Sequence, residues 1–371
     1  MSKRSFRAAL VVFAVTVVTL VVVALWVYGY AKAYPDRPLQ KPGRSVKLVI
    51  PHGSNFSKVL GLLEQHNVVP SPLAFRIFAN VKGKASKIRA GKYTIDTSWT
   101  PAKLLEILVK GVPAPSVKVT IPPGKTMLEV AQILADKKIV TSAAALIKLM
   151  YDRPFLRRLG VPSKTIEGFL FPDTYKLKAP THPKEVLRRL FLAHRRVYYA
   201  LAAKYSGALK RLRTSFGWGH KEIVTLASIV EKETGKKHER PRIASVFLNR
   251  LRLPGFNPKV LQTDPTIIYG CTVPLEKSDA CKKFNGRIRT IHLRDRDNAW
   301  NTYTHSGLPP TPISNPGKAA IEAVFKPERS RYLYFVSRND GTHYFSATKA
   351  LHERAVDFYQ RNRGPKPPPQ P

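Results

Sequence analysis

Hydrophobic positions in SVKLVIPHGSNFSKVLGLLEQHNVV, residues 45–69, alternate first and then recur at Val59, Leu60, Leu62 and Leu63. That change of period predicts a strand, a Pro/Gly turn and an amphipathic helix. Seventy-one residues on, SVKVTIPPGKTMLEVAQILADKKIV restates the pattern without a gap, so that Ser45, Pro51, Gly53, Val59, Leu63 and Val69 match Ser116, Pro122, Gly124, Val130, Leu134 and Val140. Each copy is expected to continue into a second helix. Two copies are too few for a solenoid, so the repeat predicts two related small lobes. Between them, Ala90 to Gly111 adds a strand and a helix opened by Thr100-Pro101 and closed by Gly111. Residues 45–112 thus read as a compact α+β lobe.

From 113 to 360 the pattern predicts a larger mixed α/β domain, with helices near 183–205, 220–234, 239–252 and 316–325. Strands follow at Tyr332 to Arg338 and His343 to Ala347, joined by the hairpin signal Asn339-Asp340-Gly341. A last helix near Lys349 to Asn362 leads into GPKPPPQP, so that residues 361–371 are expected to be a disordered Pro-rich tail.

The most apolar stretch is Ala8 to Tyr28, 21 residues without a charge. At 1.5 Å per residue it matches the roughly 30 Å hydrocarbon layer of a membrane. Trp26, Tyr28 and Tyr30 would lie at the far interface. Ala31-Lys32-Ala33 has the small-x-small form of a signal-peptide cleavage site, but secretory apolar cores run only about 7–15 residues, which favours a retained transmembrane helix at 8–28. Basic residues flank both sides, so charge alone leaves orientation open. Residues 29–44, with Pro35, Pro38 and Pro42, read as a partly extended spacer.

Composition narrows the classes. With 43% hydrophobic and 10% aromatic residues in 371, the chain can bury a real core. The 63 Lys and Arg against 24 Asp and Glu give a formal charge of +39, which points to an anionic neighbour: nucleic acid, lipid headgroups or an acidic polymer. No zinc knuckle, KH loop or RNP-type aromatic pattern accompanies that charge, which argues against nucleic acid. The two cysteines, Cys271 and Cys281, bracket CTVPLEKSDAC; a disulfide there fits an oxidising compartment, and two free thiols are the alternative. The ten histidines form no HExxH pattern, so neither a metal nor another cofactor is expected.

The candidate chemistry centres on HKEIVTLASIVEKETGKK, residues 220–237. Its apolar helix ends in Glu231-Lys232-Glu233, and at 100° per residue the two glutamates lie about 200° apart at opposite edges of the buried face. They cannot both reach one scissile bond. Glu231 falls one turn after Ala227, where apolar contact would raise its pKa and keep it protonated as a general acid. Periodicity alone favours the other reading, an ordinary exposed charge at a helix end, unfavourable to the helix dipole. The segments EGFLFPDTYKL, LQTDPTIIYG and WNTYTHSGLPPTPISNPG combine carboxylates, amides and hydroxyls with aromatics, as carbohydrate sites do; each also reads as a structural turn.

Taken in order, EGFLFPDTY, LASIVEKET, ASVFLNRL, LQTDPTIIYG, NTYTHSGLPPTPISNPG and YLYFVSRNDGTHYFS closely resemble the MltG-type (YceG-like) membrane-bound endolytic murein transglycosylases. The resemblance covers most of 113–350 and implies a LysM-like lobe at 45–112 and a catalytic domain at 113–360. The Cys271 to Cys281 insert departs from the family pattern. Implied is cleavage of the bond between N-acetylmuramic acid and N-acetylglucosamine within a peptidoglycan glycan strand, leaving a 1,6-anhydromuramic end. One carboxyl suffices, as acid and then base. The resemblance assigns this role to Glu231, with Glu233 as fallback, and brings Glu167, Phe169, Gln262, Asp264, Asn301 and Tyr303 into or beside the cleft. Asp264 also reads as fixing its own turn, and Glu167 as an ion-pair partner. The implied setting is a single-pass protein of the cytoplasmic (inner) membrane, residues 1–7 in the cytoplasm and the catalytic domain outside it in the periplasm or extracytoplasmic space, working beside glycan-polymerising synthases. A non-catalytic, membrane-anchored peptidoglycan-binding protein is the alternative, since the lobes could hold the wall without cutting it.

Overall fold

The computed structural model describes residues 17–23, 25–26, 28–51, 53–112 and 116–370. The chain divides into two compact units at residue 115. In the first, β1 (Ser45–Ile50) pairs antiparallel with β2 (Gly91–Asp96), and helices Phe56–Gln65 and Pro72–Val81 connect the two strands. Alternation turns Leu48, Ile50, Tyr93 and Ile95 inward, where they meet Leu63, Phe75 and Leu104 in one core.

The helix Val17–Asp36 is long and apolar enough to cross a membrane. Residues 8–16, 24 and 27 of the predicted span lie outside the described residues. Leu20, Val22, Leu25 and Trp26 are exposed, as a lipid-facing helix requires. The expected spacer at 29–44 is corrected: the chain stays helical through Ala33 and turns once more at Tyr34–Asp36. Leu39 is then buried, with its N–H on Trp99 O at 2.9 Å, and Gln40 N–H on Thr97 O at 2.9 Å. Backbone hydrogen bonds and one buried leucine thus fasten this stretch to the lobe.

The sequence repeat is a structural repeat. Asn55 and Thr126, seventy-one positions apart, each cap the following helix, accepting from Lys58 N–H and Glu129 N–H. Gly53 and Gly124 share φ of 77°, and Asn67 and Lys138 close their helices at φ 49° and 55°. The second copy carries β3 (Ser116–Thr120) and β4 (Thr174–Lys178), paired antiparallel around three helices, Met127–Asp136, Ala143–Met150 and Arg153–Leu159. It is not the separate small lobe expected. Val119, Val130 and Leu134 share one core with Val224, Ile229, Phe247 and Ile321, because its apolar face has a large helical partner to cover it.

At the centre of the second unit lies the helix His220–Glu233, buried without interruption from Ile223 to Val230. A helix enclosed on all sides needs apolar or internally bonded residues throughout. Thr225 and Ser228 meet that need by donating to Lys221 O (2.8 Å) and Thr225 O (2.7 Å). Helices Arg240–Arg252 and Lys318–Phe325 pack on it. Among the helices not expected are Ser206–Phe216, set off from Pro183–Lys204 by Tyr205, and Asp264–Thr272, where Pro265 occupies a first-turn position whose missing N–H costs no helical hydrogen bond. The hairpin β5 (Tyr334–Ser337) and β6 (His343–Ser346) turns through Asn339 and Gly341 at φ 65° and 82°. Cys271 and Cys281 are bridged, with Cα atoms 4.5 Å apart. The tail differs from the expectation of disorder: Pro367 is buried, Tyr344 Oη–H donates to Pro368 O at 3.0 Å, and Gln370 Nε2–H donates to Phe345 O at 2.5 Å.

His194 and His220 stack in the core with Nε2 atoms 2.9 Å apart, one donating and the other accepting. Burial lowers both, His194 well below the ordinary imidazole value and His220 to about 4. Because the folded values are depressed, this contribution to stability is present above pH ~6.5 and is lost as pH falls toward 4. For His220 the shift amounts to on the order of 3 kcal/mol. Urea unfolding at pH 6.5 and pH 4 should therefore show a larger loss in the wild type than in His220→Gln; equal losses would exclude this account.

Candidate active site

Three loops and one helix start meet at the C-terminal end of the central helix. Glu231 has a side chain only 5% exposed, and its two oxygens are held separately. Arg240 Nη2 donates to Oε1 at 2.6 Å, and the Gly317 N–H donates to Oε2 at 2.9 Å. On another side the IPPG turn closes over it: a Cβ at Gly124 would lie 3.6 Å from Glu231 Cγ. The corresponding turn of the first copy, at Gly53, meets nothing within 4 Å. Burial pushes the Glu231 carboxyl above the ordinary carboxylate range, opposed by the Gly317 N–H, Arg240 and Lys232.

Glu233 faces different partners. It accepts from Thr263 Oγ1, at the start of the LQTDPT segment. Burial raises its pKa too, helped by Asp264 and opposed by the Thr263 hydroxyl, His343 and Arg250. Thr263 N–H in turn donates to Thr302 Oγ1 at 3.1 Å, joining LQTDPT to NTYT. The two glutamates thus serve separate surroundings, as their angular separation predicted.

The other sequence candidates separate into two groups. Gln262 and Asp264 are exposed; Gln262 takes φ 52° and donates its N–H to Thr302 O, and Asp264 accepts from Tyr303 Oη–H at 2.7 Å. Asp264 and Tyr303 lie within electrostatic reach of Glu233. Glu167, Phe169 and Asn301 are instead fully buried. Asn301 donates through Nδ2 to His292 O, Leu293 O and Asp295 O, which fixes a loop. Phe169 packs edge-on to His194 and His220 at 5.1 and 5.3 Å. Glu167, Phe169 and Asn301 therefore satisfy interior groups and present no exposed surface of their own.

Glu167 is the hub of that interior. Met127 N–H donates to both its oxygens at 3.0 Å and Asn315 Nδ2–H to Oε1 at 3.1 Å, so it is no surface ion-pair partner. Burial outweighs these donors and raises its pKa to about 8. Asn315 also receives Leu170 N–H at 2.8 Å and binds Lys125 O through its backbone and side-chain N–H groups, both at 2.9 Å. EGFLF, IPPGKT and SNPG are thereby tied together next to Glu231. Gly168, at φ 87°, permits the close approach, since a Cβ there would collide with Pro312.

Sequence reasoning did not single out Arg240, Thr263, Asn315 or Gly317. The NPG at 315–317 lay inside a quoted motif, but which of its atoms would meet Glu231 depends on a contact spanning 86 residues. Nothing distinguishes Arg240 from its many basic neighbours until its partner is known. A cavity of about 1390 Å³ bordered by Tyr205, Arg211, Arg252 and Arg331 includes neither glutamate.

This arrangement is of the class in which a buried carboxyl at a helix end is enclosed by polar loops of a mixed α/β scaffold. The chain belongs to the YceG-like family, whose model matches residues 48–358. It is similar to the endolytic murein transglycosylase of Bacillus subtilis (strain 168), with 29% identity over 344 residues covering 89% of each chain. The endolytic murein transglycosylase of Streptococcus pneumoniae (strain D39) is 29% identical over 341 residues, covering 84% of this chain and 58% of that longer one. A crystal structure of a yceG-like protein from Listeria monocytogenes superposes with a TM-score of 0.52 at 28% identity, covering 84% of this chain and 98% of that one.

Proposed function

We propose that this chain is an endolytic peptidoglycan lytic transglycosylase in which Glu231 is the acid and base. The observation that carries the reading is the convergence of the IPPG, VEKE and SNPG segments on one buried carboxyl at a helix end. Protonated Glu231 gives its proton to the glycosidic oxygen between N-acetylmuramic acid and N-acetylglucosamine, and the bond from C1 to that oxygen breaks. The resulting carboxylate then accepts the proton of the C6 hydroxyl as that oxygen bonds to C1 of the same sugar. Water is neither added nor released, and Glu231 ends protonated again. The environment fits both halves: burial favours the neutral acid, and Arg240 with the Gly317 N–H steadies the anion formed midway.

The second reading is a wall-binding protein that does not cut, favoured by the engagement of both Glu231 oxygens within the protein. Incubation of the purified full chain in detergent with murein sacculi separates the two. The proposal requires anhydromuropeptides by mass spectrometry, and their absence would leave the binding reading.

The helix Val17–Asp36 serves in this proposal as a single-pass anchor with residues 1–7 in the cytoplasm, and the first lobe as a LysM-like wall-binding module beside the glycan synthases. Protease added to intact spheroplasts should then digest the region after residue 36; full protection would reverse the orientation.

A further inference from the structure

Arg240 is an expensive residue for its position. It opens the helix Arg240–Arg252, where the dipole disfavours a cation, and its side chain is only 9% exposed. A buried guanidinium ordinarily distributes five N–H donors over several acceptors. Here the bond to Glu231 Oε1 is its one hydrogen bond among the described residues, and Nε is buried with no acceptor. Removing a charge from water for one ion pair adds little to stability.

The neighbouring residue shows how Arg240 is kept there. Glu239, itself buried, accepts from His343 N–H and Nδ1 at 2.8 Å and from Thr234 Oγ1 at 3.2 Å. That pins the turn between the two helices to the hairpin and aims Arg240 back at the end of the preceding helix. Other charges near Glu231 are differently engaged: Lys232 is exposed, and Lys125 on the IPPG loop is bound to Glu129 at 2.6 Å. Gly317 offers only its N–H.

We propose that Arg240 is a positioning residue, holding Glu231 against Gly317 and setting the pH at which that carboxyl ionises. The inference rests on Glu231 being the acid. An adjacent guanidinium favours the carboxylate, so Arg240 limits how far burial can keep Glu231 protonated as pH rises. It also gives the anion a partner in the second half of the cycle.

The test is the pH dependence of kcat/KM for sacculus cleavage by the full chain in detergent. In Arg240→Gln the alkaline limb should move to higher pH by about 1 unit, the lower end of the effect of one close opposite charge. Arg240→Lys, which keeps the charge, should leave that limb near its wild-type position while lowering kcat/KM. Equal losses at every pH in Arg240→Gln would overturn the inference, as would an equal shift in Arg240→Lys. Should Arg240→Gln fail to fold by circular dichroism, Arg240→Met supplies the uncharged arm. An active Glu231→Gln enzyme would sink the Glu231 reading itself; an inactive one with an unshifted Arg240→Gln limb would sink only this inference.

Discussion

Glu231→Gln should lower the yield of anhydromuropeptides by about 10²- to 10⁴-fold, the usual contribution of a positioned acid and base. Gln has nearly the shape of Glu and cannot deliver the proton; its one carbonyl can accept from either the Gly317 N–H or Arg240, and its amide N–H group then faces the other donor. Glu233→Gln should cost less than about tenfold, since it alters the hydrogen bond with Thr263 and the packing of the LQTDPT segment by ~1 kcal/mol. Both variants should keep the wild-type circular dichroism. The opposite ranking would move the catalytic role to Glu233, which also lies in a desolvated setting and stands closer to Asp264 and Tyr303. If neither substitution lowers the yield, a single-carboxyl mechanism on this helix is wrong.

What the chain reveals before folding follows how local each determinant is. The strand, turn and helix repeat was legible because its signals lie within about 25 residues: alternation, the Pro/Gly turn, and the helical recurrence of apolar positions. The hairpin at Asn339-Asp340-Gly341 was legible for the same reason. Separation of Glu231 from Glu233 needed only helical geometry. Their partners needed the tertiary fold, for Gly317, Thr263 and Asn315 reach the site through contacts across 30 to 148 residues. The burial of Glu167 and Asn301 was hidden by chemistry, because a carboxylate or an amide in a loop reads as a surface group until the backbone donors or acceptors that satisfy it are known. Tail docking was missed because Pro-rich composition reports weak intrinsic structure and says nothing about a receptive hairpin edge.

Phe169→Ala separates a cleft residue from a core one most sharply, and it should destabilise the protein by about 3–5 kcal/mol. The ring is fully buried among Phe191, His194 and His220, in a core too closely packed to refill the space of an aromatic side chain. Its loss should also loosen the link between Gly168 and the Pro312 loop, two residues before Ser314 bonds the central helix at Ser228 O. The measurement is denaturant unfolding of wild type and variant at one pH, read beside KM at a temperature where both remain folded. A lower midpoint with KM nearly unchanged would establish the core role. A variant of wild-type stability with a raised KM would instead return Phe169 to the cleft wall, and the placement of EGFLF behind Glu231 would have to be given up with it.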